Sequence, residues 1–407
     1  MLLIFICPNY TYASETAKAK IGNNYYDTLE EAISAASSDD VISLTNNVSL
    51  SNSLEIKKTV NIDLNNNNIT AAEKVFLIEG GSLKLTGKGK IMETKPNYGA
   101  IILKGSDDAS KENYSTVSVG SDVTLECWSG IFIEHNNKTS YGVLVNMEGT
   151  INAVDDINGG TGVGVYVNGN IANKTNSPII NLTKTTKITS TGNGIYAAGY
   201  ATYNINGAYI SGVESGLGIK SGVFNIKDGT IIGTGVDKTP TTGNNNGINP
   251  TGVAIQIESN SGYAGNIELD IQNGNISSKN SNVIYEYTVG GAETKVKSIS
   301  LSGGKYISDS GKNVFNLSNS FKNTHPKFIS GGTYSSEPSS HLKSGYNAVK
   351  DGNLYKVASG TMGVFGFQNE NGSGGKSILV IFTLLIFGIV TYLNRKKIFI
   401  FVNSLKN

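Results

Sequence analysis

Three adjacent aspartate pairs, Asp39-Asp40, Asp107-Asp108 and Asp155-Asp156, are by residue type the best acid–base candidates in the chain. A two-carboxylate hydrolytic site needs its groups facing each other across roughly 5 to 10 Å. Neighbours along a strand point to opposite faces, so a sequential pair does not make such a site by itself. All three pairs sit in polar, turn-rich stretches, where aspartate closes turns with its own backbone. Asp107, Asp108, Asp155 and Asp156 are the catalytic candidates if the chain is an enzyme, and solvated loop aspartates otherwise. His135, His325 and His341 are widely separated and read as structural, and Cys127 reads as a small buried hydrophobe. No Asp-x-Asp-x-Asp-Gly loop or repeated Gly-Gly-x-Gly-x-Asp nonapeptide asks for Ca²⁺, so no cofactor or metal is expected. Asn68-Ile69-Thr70 and Asn137-Lys138-Thr139 are the sort of Asn-x-Thr triplet that an Asn-rich chain produces by chance. Trp128 and the tyrosines offer rings for sugar stacking, although tyrosine in strands packs in or over its sheet.

The elements that position these residues follow from composition. Hydrophobic residues are 38% of 407 and charged residues only 16%, with the missing charge replaced by Asn, Ser, Thr and Gly. That supports a packed core and excludes wholesale disorder. The net charge of +1 gives no long-range field for nucleic acid, and Arg395 is the single arginine. At the C-terminus Ser377 to Leu393 is a charge-free apolar run followed by Asn394-Arg395-Lys396-Lys397. Its length is at the short limit for a membrane span, and the basic flank places residues 394–407 in the cytoplasm and everything before Ser377 outside the cell. Residues 1–13, apolar Met1 to Ile6 and then Thr11-Tyr12-Ala13, read as a signal peptide with cleavage near Ala13. Residues 358–376, rich in Gly and Ser, read as a flexible tether.

Between the two ends the sequence repeats itself. A β-run, a Gly-containing corner and a second β-run recur at Ile78 to Leu83, Asn146 to Ile151, Ile205 to Ile210, Ile226 to Ile231, Ile271 to Ile276, Leu301 to Tyr306 and Ile329 to Tyr334. A second phrase alternates with the first from residue 164 onward: Gly164-Val165-Tyr166, Gly194-Ile195-Tyr196, Gly218-Ile219-Lys220, Ala254-Ile255-Gln256, Val283-Ile284-Tyr285 and Val314-Phe315-Asn316. Short strands with period-two alternation suit a solenoid of two or three strands per coil. Stacking coils about 4.8 Å apart buries a column of Ile, Val, Leu and Tyr that one coil cannot bury alone. About eleven such coils give a shaft of roughly 50 Å. Loops leave it near Asp107 to Asn113, Asn173 to Ser177 and Asp237 to Pro250. Coil neighbours lie about 25 to 30 residues apart, so a lysine base served by carboxylates of adjacent coils stays open, invisible to any motif search.

Tyr25-Tyr26-Asp27-Thr28-Leu29-Glu30-Glu31-Ala32-Ile33-Ser34-Ala35-Ala36, then Val41-Ile42-Ser43-Leu44 and Lys58 to Asn65, resembles the opening of right-handed parallel β-helix proteins of the pectin-lyase-like class, particularly surface proteins of Gram-positive-type gut bacteria. Phe328 to Val357 is similar to their closing module. The resemblance implies an all-β, right-handed parallel β-helix over 41–324 with an N-terminal cap over 25–40 and a C-terminal β cap over 325–357, completed by one transmembrane helix over 377–393. Independently, Thr28 to Ala36 reads as an amphipathic helix with Leu29, Ala32, Ile33 and Ala36 on one face and Asp27 or Thr28 as its N-cap. Tyr346 to Val349 and Asn353 to Val357, joined through Asp351-Gly352, read as a hairpin.

Enzymes of that class, as the resemblance implies, use acidic Ca²⁺ ligands with an arginine base, or paired aspartates near Gly-His-Gly and Arg-x-Lys. Arginine is missing before Arg395, Gly-His-Gly is absent, and the single Arg-x-Lys, Arg395-Lys396-Lys397, lies in the basic flank beyond the expected span. Gly366 to Asn371 also stands where many such surface proteins carry Leu-Pro-x-Thr-Gly, so retention by the span is expected rather than covalent attachment to a wall. The expectation is a non-catalytic, membrane-anchored surface β-helix, adhesin-like or surface-structural, with a polysaccharide or surface protein as partner along its flank. The alternative is a membrane-anchored polysaccharide lyase or glycoside hydrolase, and a third reading is a pure spacer or surface-layer component.

Overall fold

Period-two alternation becomes a stack of parallel strands. A computed structural model describes residues 16–134, 140–238, 252–290 and 293–360. Ten three-strand coils are present among these residues. The first is Val41–Leu44, Val48–Ser49 and Leu54–Ile56, and the tenth is Val296–Leu301, Lys305–Ser308 and Phe315–Asn316. Each strand pairs in parallel with its counterpart one coil on, so the coils form three ladders. Nine steps of about 4.8 Å give the stack a length of roughly 43 Å. Thr202–Gly212 and Gly222–Gly233 run through two ladders without a break, which merges the first and second ladders into one 23-stranded sheet beside the 10-stranded third. The chain is thus an all-β solenoid of parallel sheets.

Alternate residues of every ladder point inward and stack on their equivalents. Ile69, Ile91, Leu125, Ile151, Ile188, Ile210, Ile231 and Ile276 form one such column, each fully buried. The first ladder adds Ile180, Tyr203 and Phe224, the last two stacked with ring centroids 4.2 Å apart. Identical spacing on every coil is what lets like side chains interdigitate into one core.

Six of the seven copies of the Gly-corner phrase mark one corner, between the first and second ladders. The copy at Ile78 to Leu83 marks instead the passage from the third ladder to the next coil. In the second coil the first corner is built otherwise: Asn65 and Asn66 take it with φ of 46° and 65°, where Asn tolerates the left-handed region. At Gly229 the corner needs glycine twice over, since φ is +148° and a Cβ would meet the Ala208 carbonyl oxygen at 2.7 Å. The second phrase lies in the third ladder with one slip. Val165, Ile195, Leu217, Ile255 and Ile284 are in register, so Gly218-Ile219-Lys220 stands two residues beyond its apparent equivalents.

Both ends of the stack are covered. Helix α1 (Leu29–Ala35) buries Leu29, Ala32 and Ile33, and Thr28 caps it in a capping box with Glu31. Ala19–Ile21 pairs antiparallel with Asn24–Tyr26 and with Val41–Leu44. At the other end helix α2 (Asn319–Thr324) buries Phe321, and the hairpin of Tyr346–Asp351 and Leu354–Ser359 pairs antiparallel onto Gly332–Tyr334. Phe315, Phe328 and His341 pack there edge to face and in stacks. No helix among the described residues is long and apolar enough to cross a membrane. The expected signal peptide over 1–13, the expected span over 377–393, the expected tail over 394–407 and all but the first residues of the expected tether lie outside the described residues, as do His135 and most of the Asp237 to Pro250 loop.

Candidate functional site

One aspartate of each pair closes its own loop. Asp40 accepts from the Ser37 hydroxyl at 2.7 Å and the Ser37 amide at 2.8 Å, which hold its carboxyl below the usual range. Asp108 accepts from the Ser110 amide at 2.9 Å and hydroxyl at 2.8 Å, with the same effect. Asp107 lies beside it, exposed. Asp156 takes the amides of Asn158 and Gly160 at 2.6 and 2.9 Å while Asp155 is exposed. A carboxylate spent on backbone N–H groups is a turn-former, not a base. Cys127 is buried, and burial pushes its thiol up, away from a reactive thiolate. No group of three His, Cys, Asp or Glu among the described residues could hold a metal ion.

Side chains do converge on the outer face of the third ladder. Phe132, Tyr166 and Tyr196 occupy one outward position on successive coils, with centroids 4.8 and 5.1 Å apart. Tyr98 joins Phe132 at 5.2 Å, Trp128 joins Tyr166 at 6.1 Å, and the Lys74 ammonium sits 3.7 Å over the Tyr98 ring. On the next coil the equivalent of Tyr196 is Gly218, and the row gives way to a polar cluster. Lys220 and Glu258 stand opposite each other on adjacent coils and form a 2.8 Å ion pair with no exposed surface on either side chain. Glu258 also accepts from the Tyr287 hydroxyl at 2.7 Å and from the Asn260 amide nitrogen at 2.8 Å. The rings of Tyr196 and Tyr263 lie 4.9 and 4.8 Å from the Lys220 nitrogen. Burial pulls Lys295, which donates to the Tyr263 carbonyl, down to about 8, and pushes the Tyr196 and Tyr287 hydroxyls up.

A second polar feature runs along the first ladder. Asn146, Asn181, Asn204 and Asn225 share one outward position on four coils. Each later amide donates 2.9 Å to the carbonyl oxygen of the one before it. A primary amide carries two N–H donors, so each has one left over. Asn181, Asn204 and Asn225 border a cavity of about 390 Å³ together with Thr183, Asn206 and Lys227.

The cross-coil lysine–carboxylate arrangement left open by the sequence therefore exists at Lys220 and Glu258, but sealed from solvent. The asparagine row was missed. Its signal is a coil-periodic Asn beside the inward aliphatics, at 181, 204 and 225. No protein-family model matches the chain, nor does any curated protein or solved structure.

Proposed function

We propose that the chain is a right-handed parallel β-helix of the pectin-lyase-like surface type, held at the cell membrane by Ser377 to Leu393, with a non-catalytic flank that binds a glycan. The asparagine-lined groove is the observation that carries this reading. A row of neutral amides, repeating with the coils and keeping spare N–H donors, matches a polymer of hydroxyl-bearing rings better than a charged one. Weak contacts repeated along a rigid face add up on such a polymer. The low charge of the chain agrees with a neutral partner. The carbohydrate-active-enzyme alternative needs carboxylates in an open groove, whereas the Lys220–Glu258 pair has no exposed surface.

A glycan-array screen of the full chain tests the reading. The wild type is expected to be retained on a subset of neutral glycans, and an Asn204→Ala/Asn225→Ala variant to lose that retention while keeping its circular dichroism spectrum. Retention unchanged in the variant removes the groove from the account. No retention of the wild type favours a spacer or surface-layer role.

A further inference from the structure

Lys220, Glu258 and Asn260 form a buried triad that glycan binding does not use. We propose that Lys220 and Asn260 become joined by an intramolecular amide bond, formed by the chain itself with Glu258 as acid–base catalyst. The geometry is that of an amine and an amide sharing one carboxyl group. Glu258 Oε2 is 2.8 Å from Lys220 Nζ, and Oε1 is 2.8 Å from Asn260 Nδ2. The backbone N–H of Gly262 donates to Asn260 Oδ1 at 2.9 Å, the place where negative charge grows when the amide carbon is attacked. Lys220 and Glu258 are fully buried and Asn260 is 8% exposed, so water is kept from competing with the amine. Tyr196 and Tyr263 flank the lysine, and the Tyr287 hydroxyl fixes the carboxylate.

Each step balances without an added reagent. The lysine ammonium passes a proton to Glu258 along their hydrogen bond, which leaves a neutral amine and a carboxylic acid. The amine lone pair attacks Cγ of Asn260, and the Gly262 N–H steadies the oxygen. Glu258 gives its proton to Nδ2 and takes one from the attacking nitrogen. The Cγ–Nδ2 bond breaks, ammonia departs, and a Nζ–Cγ amide remains beside a neutral Glu258; nothing is oxidised or reduced. Holding the reactants on one carboxyl group replaces a bimolecular encounter by an intramolecular one, which is how an inert amide can be made to react. The product ties the residue after Ser215–Ile219 to the residue after Val253–Ser259, a covalent staple between adjacent coils.

Peptide mapping of the full chain by tandem mass spectrometry decides it. The expected result is a branched peptide containing Lys220 and Asn260, lighter by one ammonia than its two parts, with trypsin failing to cut after Lys220. Glu258→Gln is expected to yield only the two linear peptides. Lys220→Arg, which keeps a cation against Glu258, is expected to do the same. Asn260→Asp is expected to keep the branch, now lighter by one water. Should Glu258→Gln not fold, the arginine and aspartate variants carry the test. Linear peptides from the wild type overturn the proposal, as does a branch that survives in folded Glu258→Gln.

Discussion

Tyr203 places a hydroxyl in the middle of an aliphatic column, where it has no hydrogen-bond partner. Its ring is used, stacked on Phe224, but its oxygen is desolvated for nothing. Tyr203→Phe keeps the stack and removes that cost, so it is expected to raise stability by about 1 kcal/mol, read as a higher guanidinium midpoint. A lower midpoint would mean that the hydroxyl is satisfied. Glu93 makes the opposite use of the core. It points inward beside Cys127, accepts from the amides of Gly99 and Trp128 at 2.7 Å each, and burial nonetheless pushes its carboxyl up to about 7. The folded chain therefore holds this proton more tightly than the unfolded chain, whose carboxyl titrates near 4.5. The associated stability is fully present below the unfolded value and is lost as pH rises through about 7, for a total of about 3 kcal/mol. Glu93→Gln has no such proton to lose, so its unfolding midpoint is expected to vary less with pH across that window than the wild type's. Parallel profiles would assign the slope to other groups.

Corners show what an element demands of its sequence. Gly311 has φ of +75° with open space around it, whereas Gly229 has positive φ and the Ala208 carbonyl in the way. Gly311→Ala is expected to cost about 1 kcal/mol from left-handed strain alone, and Gly229→Ala at least twice that, measured by denaturant unfolding. Equal costs would show that the Ala208 strand yields freely. Such corners, with the inward alternation of residues like Ile205 and Ile210, are why stacked short strands were legible in the sequence. Register was less so. Inward residues recur every second position, so Ile219 is as good a match to Ile255 as Leu217 is, although Leu217 is the true partner. That slip of two aligned Lys220 with Gln256 and hid its pairing with Glu258. The aspartate pairs drew notice because they are adjacent in the chain, while groups that converge in a solenoid are a whole coil apart.

A stack of open ladders has two exposed edges, and the stability of the whole depends on how those edges are closed. At the first coil, Ala19–Ile21 takes up the edge of Val41–Leu44 in antiparallel pairing, a direction that cannot be continued by another parallel coil. Helix α1 lies over the aliphatic column with Leu29 fully buried and Ile33 at 9% exposure. The far end is closed the same way, by strands that reverse direction at Gly332–Tyr334 and by the aromatic group of Phe321, Phe328 and His341. Reversed strands at the edge and a cover over the aliphatic column together make the solenoid finite, since an uncapped parallel end would template a second molecule. A Leu29→Asp/Ile33→Asp variant should lift α1 without touching any coil. It is expected to keep the β-sheet circular dichroism of the wild type but to associate end to end, seen as a concentration-dependent rise in scattering mass by light scattering after size exclusion. If the variant instead runs at the wild-type mass at all concentrations, the antiparallel edge strand closes the end unaided and the helix serves only to cover the column.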